Sequence, residues 1–161
     1  MKMEQHLITG RSESMDEIAE LAPLAEESGF THIGFPDQPA LNRDPFLMMA
    51  VAAQATSHIR VGTGIVTPFT YHPVVIANAS ATVDELSNGR AFVGLGVGGA
   101  AVMSMGLKPR PVAELRETAQ FVKKFMAGEE AEYKGGRMYS DWIRNPVPLY
   151  VAVDGPKGHQ V

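Results

Sequence analysis

The chain has 161 residues, a formal net charge of −4 and 45% hydrophobic residues. This composition is typical of one globular domain with its own core, and it excludes a disordered or fibrous chain. The sequence contains no cysteine, which excludes disulfides, thiolate catalysis and cysteine-bound metal centres.

The distribution of charge and hydropathy argues against several partners. No cluster of Lys and Arg is present, so nucleic-acid binding is not expected. No apolar stretch approaches the roughly 20 residues of a membrane helix, and the first 14 residues lack the apolar core of an export signal. A cytoplasmic protein is therefore expected. The five histidines show no HExxH or other paired ligand spacing, so no metal site is predicted.

Short apolar strands alternate with amphipathic helices along the chain. Capping residues, prolines and glycines mark the helix ends, as in the Ser14 to Glu17 capping box and the Ser87-Asn88-Gly89 stop. Strands are predicted at His6–Ile8, Phe30–Phe35, Ile59–Val66, Ala91–Leu95 and Leu149–Val153. Helices are predicted from Ser14 to Gly29, from Asp44-Pro45 to Ala55, from Pro73 to Leu86 and over Pro111–Met126, with a hairpin around Gly135-Gly136.

This alternation predicts βαβ units and a parallel sheet, which fits either a doubly wound open sheet or a (β/α)8 barrel. The glycines at 94, 96, 98 and 99 follow a strand but do not have G-x-G-x-x-G spacing, and no acidic residue follows about 20 positions later. A nicotinamide-binding Rossmann unit is therefore disfavoured. We expect the strands to be parallel and adjacent in chain order.

Several stretches, taken together in this order, resemble the luciferase-like family of FMN-dependent monooxygenases and coenzyme F420-dependent reductases. They are Ala25–Phe30 with Ile33–Asp37, Thr56–Val66, His72-Pro73 with Ala81–Arg90, Gly94–Gly98 and Val151–Lys157. Their spacing, together with Ile65, is closest to the methylene-tetrahydromethanopterin reductase side of the family.

The resemblance implies a partial α/β TIM barrel, with residues 1–161 forming one domain that ends before the last three strands. It also implies FMN or coenzyme F420 as cofactor, a small organic substrate, and a non-prolyl cis peptide at Gly64-Ile65. The implied cofactor contacts lie just past strand ends, where barrel active sites lie. They are Asp37, Gly64, Ile65, Val66, Thr67, Gly96 and Gly98, with His72 as a substrate contact. No catalytic residue is assigned.

Simpler roles remain open for some of these residues. Asp37 can cap a turn, His72 can cap a helix, and the glycine-rich loop can be a plain flexible turn. Arg90 precedes its strand, so we expect it to be solvated or to form a salt bridge at the bottom of the barrel.

One position departs from the family pattern. Many deazaflavin-dependent dehydrogenases of this family have histidine directly after the aspartate at the end of the second strand, where this chain has Gln38. Glutamine cannot act as a proton-transfer base at neutral pH. Alcohol or sugar-phosphate oxidation through that base is therefore not expected.

Two alternatives to an oxidoreductase remain: a truncated, non-catalytic homologue that self-associates, and an open-sheet nucleotide-binding protein. Whether the chain is an oxidoreductase or a non-catalytic homologue, a barrel sector of five strands would leave two sheet edges and an inner apolar face uncovered. A homo-oligomer is therefore expected, or else a fragment of a longer product.

Overall fold

The structure is a computed structural model that describes residues 4–10, 13–108, 111–143 and 145–153. The elements are β1 (His6–Ile8), α1 (Met15–Glu27), β2 (His32–Phe35), α2 (Pro45–Ala55), β3 (Arg60–Thr63), α3 (Pro73–Leu86), β4 (Ala91–Gly96), α4 (Ala100–Ser104), α5 (Val112–Met126), β5 (Ala131–Tyr133), β6 (Gly136–Met138) and β7 (Leu149–Ala152). Residues 154–157 of the last stretch that carries the family resemblance lie outside the described ranges. Over those ranges, no helix is long and apolar enough to cross a membrane.

The main sheet has five strands in the order β1-β2-β3-β4-β7, and each neighbouring pair is parallel. Every connection moves to the next strand in the same direction. Because such crossovers are right-handed, the intervening helices all lie on one face of the sheet. A doubly wound sheet would carry helices on both faces, so the predicted barrel sector is confirmed.

The helices begin where the local sequence predicts. The Ser14 hydroxyl accepts a hydrogen bond from the Glu17 amide, and the Glu17 carboxylate accepts one from the Ser14 amide. These two bonds complete the capping box of α1. Asp44 caps α2 through the amides of Phe46 and Leu47. The predicted stop after α3 is also present: Asn88 and Gly89 both have positive φ.

Several strand boundaries differ from the sequence prediction. The strand predicted from Phe30 begins at His32, and the strand predicted to Val66 ends at Thr63. Beyond Thr63 the chain leaves the ladder, and Val66 forms only an isolated bridge with Leu95. Helix α4 was not predicted, because five residues are too few to show helical periodicity. The hairpin is present, but residues 134 and 135 form its turn.

The two faces of the sheet differ in side-chain size. On the helical face, Ile33 and Val61 are fully buried in the core. On the opposite, inner face, large side chains lie across glycines of neighbouring strands. A Cβ on Gly62 would lie 2.5 Å from the Phe92 ring, and a Cβ on Gly34 would lie 2.6 Å from Cδ1 of Ile8.

Arg90 binds the lower ends of neighbouring β-α units to one another. Its guanidinium donates hydrogen bonds to the carbonyls of Ala53, Thr56, Ile59 and Ser87, and a fifth to Oγ1 of Thr56. Arg90 lies at the N-terminal face, as expected, but the expected solvated or salt-bridged state is wrong. The side chain is half-buried, and its acceptors are backbone carbonyls and a hydroxyl rather than a carboxylate.

Replacing Arg90 by lysine should lower the free energy of unfolding by about 2–4 kcal/mol. Lysine has fewer hydrogen-bond donors in a different geometry, so it would leave some of these carbonyls without a partner. Urea unfolding followed by circular dichroism measures the effect. Arg137→Lys, on the exposed hairpin, is the matched control and should change stability by less than about 0.5 kcal/mol. Equal effects of the two substitutions would contradict the assigned role of Arg90.

Candidate functional site

A pocket lies at the carboxyl ends of β2, β3 and β4, the end at which α/β barrels carry their active sites. Its volume is about 110 Å³. Its lining residues are Pro36, Asp37, Gln38, Gly64, Ile65, Thr67, Gly98, Gly99 and Ala101. Three strands and the segments that follow them thus contribute to one cavity.

The segment after β3 forms the centre of this pocket. Its Gly64-Ile65 peptide bond is cis, which confirms the geometry implied by the family resemblance. The Ile65 carbonyl accepts a hydrogen bond of 3.1 Å from the Asp37 amide, after β2. On the other side, the Val66 amide donates to the Gly94 carbonyl at 2.8 Å. The segment is therefore fixed between the ends of β2 and β4.

Two glycines pack closely against side chains around this segment. A Cβ on Gly96 would lie 2.2 Å from Cδ1 of Ile65, so a side chain there would displace Ile65. Gly98 has φ +75°, and a Cβ on it would lie 2.2 Å from Cγ2 of Val102. After β4, Gly98 and Gly99 contribute only backbone to the pocket lining, so a ligand can approach the chain closely there.

Asp37 is the buried carboxyl group of the pocket, with 3% of its surface exposed. Its Oδ2 accepts a hydrogen bond from the Thr70 hydroxyl, whereas its Oδ1 is buried and has no partner among the described residues. Burial raises the pKa of Asp37, and the hydrogen bond from Thr70 partly offsets that rise. Oδ1 is thus an unused polar atom beside the pocket.

Two hydroxyl groups of the loop before α3 bind carboxylates of the loop after β2. Thr70 donates to Asp37, and the Tyr71 hydroxyl donates to Oδ2 of Asp44. Burial and the hydrogen bond to Asp44 raise the pKa of Tyr71. Sequence reasoning missed both hydroxyl groups, although their position between the end of β3 and the α3 cap places them at the active face.

Five of the eight predicted site residues line the pocket, and the other three lie beside or outside it. Asp37, Gly64, Ile65, Thr67 and Gly98 line the pocket, and Gly96 adjoins it through Ile65. Val66 lies in the same segment, but it is fully buried and only its backbone groups face β4.

His72 lies outside the pocket lining. Its Nδ1 accepts a hydrogen bond of 3.3 Å from the Val74 amide, so it caps α3. Its ring packs edge-on against Tyr133, with centroids 5.3 Å apart. The capping role considered from the sequence is therefore present. A substrate contact remains a proposal, because the His72 side chain is also exposed.

Comparison with known proteins shows the family. Residues 2–161 match the family model of the luciferase-like monooxygenases. The chain is 32% identical over 153 residues to a 5,10-methylenetetrahydromethanopterin reductase of Methanolobus tindarius, covering 91% of this chain and 47% of that protein. It is 32% identical over 161 residues to an F420-dependent glucose-6-phosphate dehydrogenase of Gordonia bronchialis, covering 87% and 48%. The chain belongs to the luciferase-like monooxygenase family.

A solved structure supports the same fold. The coenzyme F420-dependent tetrahydromethanopterin reductase from Methanopyrus kandleri superposes with a TM-score of 0.82 at 26% identity, covering 96% of this chain and 51% of that chain. The sheet of this chain is thus a sector of the (β/α)8 barrel of the family. The chain spans about half the length of the curated relatives it matches.

The Asp37→Asn variant should become more stable relative to the native chain as pH rises. The folded-state pKa of Asp37 is raised, so the stability contributed by its protonated form is present at low pH and is lost as pH rises through the folded pKa. The amide does not titrate and can still accept the Thr70 hydrogen bond. Urea unfolding at several pH values between about 4 and 8 measures the difference.

Asp141→Asn is the control for this experiment, because it removes the same charge from an exposed loop. If the two variants showed the same pH dependence, burial of Asp37 would not be the cause.

Proposed function

We propose that the chain forms the cofactor-binding part of an oxidoreductase that uses coenzyme F420 or FMN and acts on a small organic substrate. The observation that carries this proposal is the pocket in which the Gly64-Ile65 segment, the bare backbone around Gly98 and the buried Asp37 meet at the active end of the barrel sector. The names of the relatives, which include F420-dependent enzymes, support the choice of cofactor.

The residues present fit a flat, partly polar ring. Gly98 and Gly99 line the pocket with backbone alone, and the side chain of Ile65, which packs over Gly96, offers an apolar surface. Oδ1 of Asp37 is a buried polar atom that lacks a partner within the described part of the chain. Such a group is costly unless a ligand or water satisfies it.

A bound flavin or deazaflavin supplies the redox chemistry, transferring a hydride or electrons to or from the substrate. The protein orients the ring through Ile65 and the backbone of Gly64, Gly96 and Gly98, and it excludes water from that side. Asp37 is the titratable group beside the ring, and burial raises the pKa of its carboxyl, whereas the adjacent Gln38 does not titrate.

His72 is the proposed substrate contact, and we expect it to act at the rim rather than inside the pocket. Its ring lies at the start of α3, directly after the loop whose Thr70 binds Asp37. A substrate that entered above the loop would meet this ring first. The protein is expected to act in the cytoplasm without a nucleic-acid or membrane partner, as its charge pattern predicts.

A homo-oligomer is the proposed assembly. Among the described residues, β1 pairs only with β2, and β7 pairs only with β4, so both edges of the sheet have free backbone groups. On the inner face, Ile8 is 50% exposed and Tyr150 43%. A depression of about 540 Å³ beside α5 and β7 adds further apolar surface, including Val147 and Leu149. A second copy could cover these surfaces.

Titration with coenzyme F420 and, separately, with FMN tests the function. Saturable fluorescence quenching by one of them is expected, and Ile65→Asp should weaken it by roughly tenfold or more because an unpaired charge would face the ring. Leu24→Asp, which places the same charge on an exposed part of α1, is the control and should leave affinity unchanged. No saturable binding of either cofactor, or equal affinity of the folded Ile65→Asp variant, would refute the proposed site.

Light scattering at micromolar concentration tests the assembly. We expect a mass at least twice the 17.4 kDa of one chain. Ile8→Lys should shift the equilibrium towards monomer, since it places a charge on the inner face, whereas Leu24→Lys on the helical face should not. A monodisperse native species of 17.4 kDa would show that the chain covers its own edges.

A further inference from the structure

A second group of chemically active side chains lies at the opposite end of the strands from the pocket. Glu4, His6 and His32 each place one potential ligand atom within 4.8 Å of the others. His6 and His32 are register partners on β1 and β2, and their rings stack with centroids 3.9 Å apart. Oε2 of Glu4 lies 3.7 Å from Nε2 of His6. The residues come from two strands, so no local spacing in the sequence reveals the group.

The hydroxyl group of Thr31 engages one ring nitrogen of His32. The Thr31 hydroxyl donates to the Gln5 carbonyl at 3.0 Å and accepts from the Gln5 amide at 2.9 Å. Nδ1 of His32 lies 2.9 Å from the same hydroxyl oxygen. This hydrogen bond engages Nδ1 and leaves Nε2 as the ring nitrogen that can face a ligand.

Nε2 of His32 is a buried polar atom at the edge of this group. The residue is 3% exposed, and Nε2 has no hydrogen-bond partner in the part of the chain that the structure describes. The stacked ring of His6 lies nearly parallel to it, with an interplanar angle of 5°, so it cannot donate a hydrogen bond in the plane of His32. A buried polar atom of this kind calls for a ligand.

The surroundings prepare His32 for a cation that binds neutral imidazole. A histidine ligand usually has one ring nitrogen in a hydrogen bond to oxygen and the other facing the metal, and His32 has this arrangement of Nδ1 and Nε2. Burial lowers the pKa of His32, the nearby His6 and Arg60 lower it further, and Glu4 opposes them.

We propose that Glu4, His6 and His32 bind a divalent transition-metal ion, with the fourth position open to water. Two imidazoles and one carboxylate suit Zn²⁺, Ni²⁺ or Cu²⁺ rather than Mg²⁺ or Ca²⁺. Phe92 and Tyr150, which pack edge-on against the histidine pair, form the apolar border of the site.

Binding requires one local change. Two stacked, parallel rings point their nitrogen atoms in parallel directions and not towards a common point. His6 must therefore rotate out of the stack before both histidines can bind one ion. His6 and Glu4 are both exposed and precede or begin β1, which leaves them free to move. A bound ion would then link the start of β1, an edge strand, to β2.

Calorimetric titration of the chelator-treated chain with Zn²⁺ at pH 7.5 tests the site. We expect one ion per chain, no binding of Mg²⁺ at the same concentration, and weaker Zn²⁺ binding at pH 5.5 because protons compete for the imidazoles. His6→Phe, which keeps a ring in the stack, and Glu4→Gln should each weaken binding by about tenfold or more. Arg60→Gln should strengthen it, since it removes a cation near His32.

His58→Ala is the matched control. It removes an imidazole that is 87% exposed and lies 3.7 Å from a carboxylate oxygen of Glu26, so it measures ordinary surface binding. Its affinity for Zn²⁺ should equal that of the native chain. Unchanged affinity in His6→Phe and Glu4→Gln, or an equal loss in His58→Ala, would overturn the proposal, as would the absence of saturable Zn²⁺ binding.

Discussion

The turn between α2 and β3 is held from two sides, and the position of β3 in the sheet depends on this constraint. Arg90 donates to carbonyls at 56 and 59, while Glu26 accepts from the amides of residues 57, 58 and 59. Burial would raise the pKa of Glu26, but these three amides bring it below its ordinary value. Donors and acceptors of one short turn are thereby satisfied by opposite charges from two different β-α units.

This arrangement at the lower end determines the geometry of the pocket at the upper end. Because β3 enters the sheet at a fixed position, the Gly64-Ile65 segment emerges between the ends of β2 and β4 and bonds to both. The stabilising contacts and the ligand-binding groups are thus at opposite ends of the same short strands. That division allows the pocket to keep a buried carboxyl oxygen of Asp37, which has no partner among the described residues, without loss of the fold.

Much of the fold could be predicted because its signals are local. The capping box at Ser14, the Asp44 cap and the stop at Gly89 each depend on groups within a few residues, and all three are present. Strand order followed from alternation and the handedness of crossovers. Strand ends were predicted less accurately, since Val66 has strand-like chemistry but lies beyond the point where the ladder stops.

The site was predicted only where a family pattern supplied long-range information. Gly64, Ile65 and Gly98 were identified by resemblance, and they line the pocket. The hydroxyl of Thr70 and the stacked pair at His6 and His32 were missed because their partners are 26 or 33 residues away in the chain. Hydrophobic periodicity indicates which face a residue occupies, but it does not indicate which residue on another strand it will meet.

The glycines on the inner face have an evolutionary consequence. Phe92 occupies the space above Gly62, and the end of the Ile8 side chain occupies the space above both Gly34 and Gly64. On this face, the space available to a side chain therefore depends on the residue that lies beside it on the neighbouring strand. Accepted substitutions should occur in compensating pairs, so that among homologues a larger residue in place of Gly62 accompanies a smaller one in place of Phe92.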